Sequence, residues 1–152
     1  MRVRQRHLST SETVLAGYAN PGSLSHGREP ARDLIEPWLL RHEAVTSIVV
    51  YGEVYEYMRA FRNFDKRFRW LQTLIQERNI APITLEIMET YANLRRSMRR
   101  PHGDGLIGDI DTVIAATCLR HGLTVVSTDT HFQRVPQLNA LIVNLSGNAA
   151  AR

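Results

Sequence analysis

The chain is predicted to be an α/β domain with a short parallel sheet, and three observations predict it. Short apolar runs rich in β-branched residues alternate with longer stretches at helical spacing, the pattern of parallel strands joined by covering helices. The hydrophobic fraction is 43% and the charged fraction 22%, close to an ordinary globular protein, which excludes disorder, collagen and coiled coil. The length, 152 residues, suits one core and is too short for two. Residues 1–152 are therefore read as a single domain, with 1–27 as an atypical N-terminal segment.

Taken in order, the elements begin after a turn-rich loop from Pro21 to Pro30. Leu34, Ile35, Trp38 and Leu39 recur at helical spacing within Ala31 to Arg41. Glu43 to Val50 reads as a buried strand, Val45–Val50 at its heart, running into a helix that carries Val54, Tyr57 and Met58. Phe61 to Glu77 is a second helical stretch, and Arg78 to Pro82 a connector with room for a short strand. Thr84 to Arg99 predicts a helix with Thr84 as N-cap and Ile87, Met88, Tyr91, Leu94 and Met98 on one face. After a glycine-bearing loop, Asp109 to His121 predicts a helix with an acidic start and Gly122 at its end. Leu123–Val126 is a short strand, Ser127 to His131 a polar turn, and Asn139 to Val143 a last strand.

No apolar run approaches the ~20 residues of a membrane span, and no apolar stretch follows the basic start Met1 to His7. One cysteine, Cys118, makes no internal disulfide and no thiolate zinc cage. The expected compartment is the cytoplasm, with no membrane partner. The formal net charge is +4, and of the 19 basic residues only Lys66 is lysine. Arginine grips phosphate in a bidentate fork and stacks on bases, so the composition suits a nucleic-acid partner. GC-rich coding also enriches arginine.

Three acidic sites fall beyond strand ends, where a parallel sheet gathers its functional groups. Glu53 follows the Val45–Val50 strand in the first turn of a helix. Asp109 and Asp111 open the helix to His121. Asp129 follows Leu123–Val126. Clustered carboxylates repel one another unless a cation sits among them, and all-oxygen ligands suit Mg²⁺ or Mn²⁺. Such an ion activates water and neutralises a phosphodiester in its transition state. Each acid also has a plainer role: first-turn acids satisfy a helix dipole, and Asp129 caps its turn.

The stretch DIDTVIAATCLRHGLTVVSTDTHFQRVPQLNALIVNL, Asp109 to Leu145, closely resembles the C-terminal half of PIN-domain proteins, above all the VapC toxins of toxin–antitoxin pairs. The family pattern is an Asp, then Ile-Ala-Ala, a short helix, Gly, an apolar strand, and Thr-x-Asp/Asn-x-x-Phe. Here those positions are Asp111, Ile114-Ala115-Ala116, Gly122, Leu123–Val126, Ser127, Asp129 and Phe132. Ser127 replaces the family's Thr and keeps the hydroxyl. Ser47 to Glu53 is similar to the family's Ser followed six residues later by a helix-starting Glu. The resemblance spans about Val45 to Leu145. It implies a three-layer α/β/α sandwich and Mg²⁺-dependent RNA cleavage, with Glu53, Asp111 and Asp129 catalytic and binding metal, and Asp109 a further acid. It also implies a cognate antitoxin and a homodimer; Ser127 is a candidate substrate contact, and His131, read like His121 as a surface or capping residue, lies near Asp129 where it could touch substrate.

One departure stands out. The family opens with an apolar strand ending in a metal-binding Asp, whereas this chain opens on basic residues and has no Asp before Asp33. Leu8-Ser9-Thr10-Ser11 matches the motif with Ser9 in place of Asp. Alternatively Glu12-Thr13 stands in, with Glu12 as ligand and Val14 and Leu15 beginning the next helix. The implied function is accordingly an endoribonuclease or, in the alternative, a catalytically impaired PIN domain that binds an antitoxin or RNA. A DNA-acting relative is disfavoured because the chain lacks extra substrate-clamping elements.

Arg95, Arg96, Arg99 and Arg100 end a helix, where the dipole favours cations; Arg95 and Arg99 are candidates for contacting an RNA backbone or an acidic antitoxin tail. Phe61, Phe64, Phe68 and Trp70 are spaced for helix packing or a dimer surface. His121 reads as a surface or capping residue, and Cys118 as a small core residue.

Overall fold

The computed structural model describes residues 14–16, 37–38, 41, 44–74 and 80–143. Within them lies a parallel sheet of five short strands: β1 (Val14–Ala16), β2 (Ala44–Ser47), β3 (Ile80–Ala81), β4 (Thr124–Ser127) and β5 (Ala140–Ile142). The strand order is β3-β2-β1-β4-β5. Val14 lies opposite both Ala44 and Thr124, so β1 is the central strand, paired on both edges. The helices are α1 (Ile48–Arg59), α2 (Phe64–Leu74), α3 (Leu85–Met98) and α4 (Asp109–His121), with a 3₁₀ turn at Thr130–Arg134. Chain direction reverses along the sheet between β3 and β4. The helices between successive parallel strands cover the sheet, the expected α/β architecture.

Two expectations are corrected. Val14 and Leu15 do not begin a helix: they form the middle of the sheet. The cause is tertiary, because a three-residue strand between two parallel partners is fixed by ladder pairing that no local propensity announces. The apolar strand the family pattern requires is thus Val14–Ala16, not the basic start of the chain.

The second correction concerns β2, which stops at Ser47 rather than Val50. Ser47 is the N-cap of α1, and its hydroxyl accepts from the Val49 N–H at 3.3 Å. Ile48, Val49 and Val50 are good strand residues, but Val50, Val54 and Met58 then recur every fourth residue and bury together, so packing overrides propensity. Glu53 consequently sits in the second turn, and no acid occupies the first.

Other elements match more closely. Thr84 caps α3 through its hydroxyl, which accepts from the Ile87 N–H at 3.4 Å. Ile87, Leu94 and Met98 are buried, whereas Met88 is 39% exposed and leaves the expected stripe. Residues 61–63 form a turn, so α2 starts at Phe64; residues 75–79 lie outside the described set. Most of the Ala31–Arg41 stretch does too, although Pro37 and Trp38 are helical. Phe64 and Phe68 stand edge-on to Tyr55 of α1, with ring centroids 5.5 and 5.3 Å apart. The surroundings of Trp70 lie outside the described residues.

The core centres on α4. Every residue from Thr112 to Cys118 is buried, and the small Ala115 and Ala116 let α3 pack closely. Cys118 is fully buried, and burial pushes its thiol up to about 12. Gly122 closes the helix at φ 65°, where a side chain would be strained, and the Leu123 N–H returns to the Cys118 carbonyl at 2.8 Å. Among the described residues, no helix is long and apolar enough to cross a membrane.

Candidate active site

The chain leaves β1 toward β2 and β3, then returns to place β4 on the other side of β1. The carboxyl ends of β1 and β4 flank this switch point, where open parallel sheets bind ligands. Two helices aim their first turns at this edge by connectivity alone. α1 leaves the carboxyl end of β2, and α4 runs back to enter the amino end of β4.

Asp111 is the hub. It is the third residue of α4, half-buried, and among the described residues it has no hydrogen-bond or ion-pair partner. A helix N-terminus ordinarily favours an ionised carboxylate. Here burial, and then the negative charge of Asp129, push the Asp111 carboxyl above its usual range, while His131 opposes the shift. Burial and then Asp111 likewise raise the carboxyl of Glu53. Asp111 is thus within electrostatic reach of both Glu53 and Asp129, with Glu53 arriving from the second turn of its helix. Among the described residues no three His, Cys, Asp or Glu side chains are close enough to form a ready-made metal cage.

Gly108 shapes the hub. A Cβ on it would stand 3.0 Å from Asp111 Oδ2, so any side chain there would make the carboxylate shift by a few tenths of an ångström. Gly108 is also the N-cap of α4 and supplies no side-chain cap.

Asp129 does what its turn position suggests. It caps the 3₁₀ turn, with Oδ1 accepting from the His131 N–H at 2.8 Å. The same oxygen lies 3.3 Å from His131 Nδ1, and the His131 ring is largely exposed. The Asp129 N–H donates to Ser127 Oγ at 3.1 Å. Ser127 is 3% exposed, so its hydroxyl fixes the Asp129 turn from inside rather than facing outward.

Asp109 behaves differently from its neighbour two residues on. It is exposed, and its Oδ1 accepts from Arg95 at 2.7 Å and from the Tyr91 hydroxyl at 3.0 Å. Arg95 also donates to the Ile107 carbonyl at 3.2 Å. Asp109 therefore joins the arginines of α3 instead of the acids. The sequence reading missed this tie, yet a signal existed: in an antiparallel helix pair the end of α3 faces the start of α4. Arg95 and Arg99, with Tyr91, Arg96, Arg100 and His102, line a groove of about 520 Å³. Ser9 and Glu12 lie outside the described residues. Both precede β1, whereas the acidic edge lies past its carboxyl end; after Ala16 no acid occurs until Glu29.

The carboxylates within reach of Asp111 offer oxygen donors, which suit Mg²⁺ or Mn²⁺. The absence of a three-acid cage does not conflict with this, because Mg²⁺ keeps several waters and is held by one or two carboxylates together with substrate phosphates. Asp111 and Asp129 are the residues that would hold such an ion.

The PIN domain family model matches residues 24–138. The chain is similar in fold to VapBC2 from Rickettsia felis bound to a DNA fragment from their promoter. There the TM-score is 0.66 at 15% identity, covering 86% of this chain and 100% of that one. DNA-bound VapBC from Salmonella typhimurium gives 0.68 at 12% identity, covering 86% and 98%. A toxin–antitoxin complex from Klebsiella pneumoniae gives 0.62 at 20% identity, covering 84% and 95%. At these identities the likeness is one of fold alone. No curated protein matches the chain. A family model spanning three-quarters of the sequence is decisive where such distant structures are not: the chain belongs to the PIN domain family.

Proposed function

We propose that this protein is a metal-dependent endoribonuclease of the VapC toxin type, hydrolysing RNA phosphodiesters at Mg²⁺ or Mn²⁺. The observation that carries the reading is Asp111, a half-buried carboxylate flanked by Glu53 and Asp129 and raised by both burial and repulsion. Such a hub is costly without a counter-charge, and perturbed carboxylates at a switch point are candidates for catalysis. A bound divalent ion supplies the counter-charge and polarises water and phosphate. Asp111 and Asp129 would hold the ion, Glu53 would accept a proton from the attacking water, and the Ser127 hydroxyl keeps the Asp129 turn in place. The toxin–antitoxin complexes of similar fold support a cognate antitoxin partner, and we place the protein in the cytoplasm as a homodimer.

A second reading is favoured by one observation: β1 is followed by no carboxylate before Glu29, so the central strand supplies no acid of its own just past its carboxyl end. In that reading the domain is catalytically impaired and binds an antitoxin or RNA. Calorimetric titration of Mn²⁺ into the protein and into Asp111→Asn, alongside an RNA cleavage assay in Mg²⁺, separates the two. Ion binding and cleavage that both vanish in Asp111→Asn support the nuclease. RNA binding without cleavage supports the impaired domain.

A further inference from the structure

We infer that Arg134 is a positioning residue for the acidic pair: it ties the turn that carries Asp129 to the backbone leading into α4, and so sets the separation of Asp129 and Asp111. The inference deepens the nuclease reading and rests on it for the bound ion. The chain enters α4 through Leu106, Ile107 and Gly108, which lie outside any helix or strand. The Gly108 carbonyl accepts from the Thr112 N–H at 2.9 Å and from the Thr112 hydroxyl at 2.7 Å, so it is held by the helix itself. Among the described residues, the carbonyls of Leu106 and Ile107 accept from no backbone N–H. Each accepts from an arginine side chain instead. Arg95, on α3, donates to the Ile107 carbonyl at 3.2 Å, and Arg134 donates to the Leu106 carbonyl at 3.4 Å. The two arginines come from different elements, so the entry to α4 is fixed against α3 and against the 3₁₀ turn together.

Arg134 is the last residue of the 3₁₀ turn whose N-cap is Asp129. Both ends of its tie are anchored, because Phe132 and Ile107 are buried in the same hydrophobic cluster. The bond spans 28 residues of sequence, and among the described residues no other hydrogen bond joins the two segments. Mg²⁺ demands near-ideal octahedral geometry, so two carboxylates on separate elements serve it only at a fixed spacing. Groups behind the ligands supply that rigidity. The charges that act on the Asp111 carboxyl are those of Asp129 and His131. Arg134 is not among them, so it bears on Asp111 through the backbone rather than by neutralising it.

The test replaces Arg134 by methionine, which keeps an apolar stem and loses every donor, and by lysine, which keeps a charged donor. Mn²⁺ is titrated by calorimetry into the wild type and both variants. Arg134→Met should weaken Mn²⁺ binding about tenfold, the low end for groups that support metal ligands, and Arg134→Lys should fall between it and the wild type. Urea midpoints should stay together, since Arg134 is exposed. Without metal, amide exchange at the Thr112 N–H should be faster in Arg134→Met, because the Gly108 carbonyl it meets is less firmly placed. Equal Mn²⁺ affinities in the wild type and Arg134→Met overturn the positioning role. So does a loss of affinity matched by a drop in urea midpoint, which would make Arg134 a general stabiliser. Unchanged Mn²⁺ binding with weaker binding of an oligouridylate in EDTA also overturns it, and would make Arg134 a phosphate contact. A wild type that binds no Mn²⁺ overturns it together with the metal reading, whereas exchange at Thr112 still reports whether the tie to α4 exists.

Discussion

Two regions only a few residues apart in sequence handle charge in opposite ways. At the head of α4, Asp111 feels the charge of Asp129 and acts on Glu53, and it has no ion-pair partner among the described residues. At the tail of α3, arginines gather in a groove where one carboxylate, Asp109, pairs with one of them. Asp109 and Asp111 share a helix turn, yet one is exposed and neutralised while the other is half-buried and repelled. The difference teaches that helix-start acids are not equivalent: the neighbour across the turn decides whether a carboxylate stabilises the fold or is held in reserve for a ligand.

The largest effect should come from Asp111→Asn. Removing the hub charge should abolish Mn²⁺ binding by calorimetry and lower RNA cleavage by about 100-fold or more. The same change should raise Tm by roughly 1–3 °C without added metal, because it relieves repulsion in a half-solvated site. A variant that loses both function and stability would mean that Asp111 is a structural cap.

Asp129 separates charge from capping. Asp129→Ala should destabilise the protein by about 1 kcal/mol through loss of the cap, whereas Asp129→Asn keeps a good cap and should stay near wild type in denaturant midpoint. Both should weaken Mn²⁺ binding. An alanine variant as stable as the asparagine variant would show that the bond to the His131 N–H contributes little.

On the arginine side, the Arg95–Asp109 pair is partly exposed, so a double-mutant cycle with Arg95→Gln and Asp109→Asn should give a coupling below about 1 kcal/mol. A larger coupling would make this tie a principal clamp between α3 and α4.

The smallest effect concerns pH. Glu53 and Asp111 have raised carboxyl affinities in the folded protein, so the folded state binds protons more tightly than the unfolded chain. Their repulsive cost is fully present above the folded values and disappears as pH falls toward the ordinary 4.5 and 3.8. Relative to Asp111→Asn, the wild type should therefore gain stability between neutral and mildly acidic pH, read from urea midpoints. A wild type that loses stability relative to the variant over that range would contradict the repulsive hub.

The contrast also marks what the sequence could reveal. α4 was legible to the residue, because an acidic start and Gly122 bracket it and neither depends on distant partners. The turn at Asp129 was legible for the same local reason. The central strand was not, because Val14-Leu15-Ala16 is too short to show a period and owes its place to β2 and β4. The start of α1 was read late, because Ile48-Val49-Val50 favours a strand until the Ser47 cap and the burial of Val54 and Met58 are weighed. Convergence of the acids could be expected from topology; the turning of Asp109 toward Arg95 required the packing of α3 on α4.

The buried thiol of Cys118 has a kinetic consequence. Burial raises its proton affinity to about 12, so the thiol stays protonated at neutral pH, and the fully buried sulfur is shielded from reagent. A thiol-labelling reagent therefore reacts only when α4 opens, which turns the lone cysteine into a clock for local unfolding of the helix that bears Asp111. Any ligand that settles on the acidic hub should slow that clock, whether or not the protein turns over a single phosphodiester.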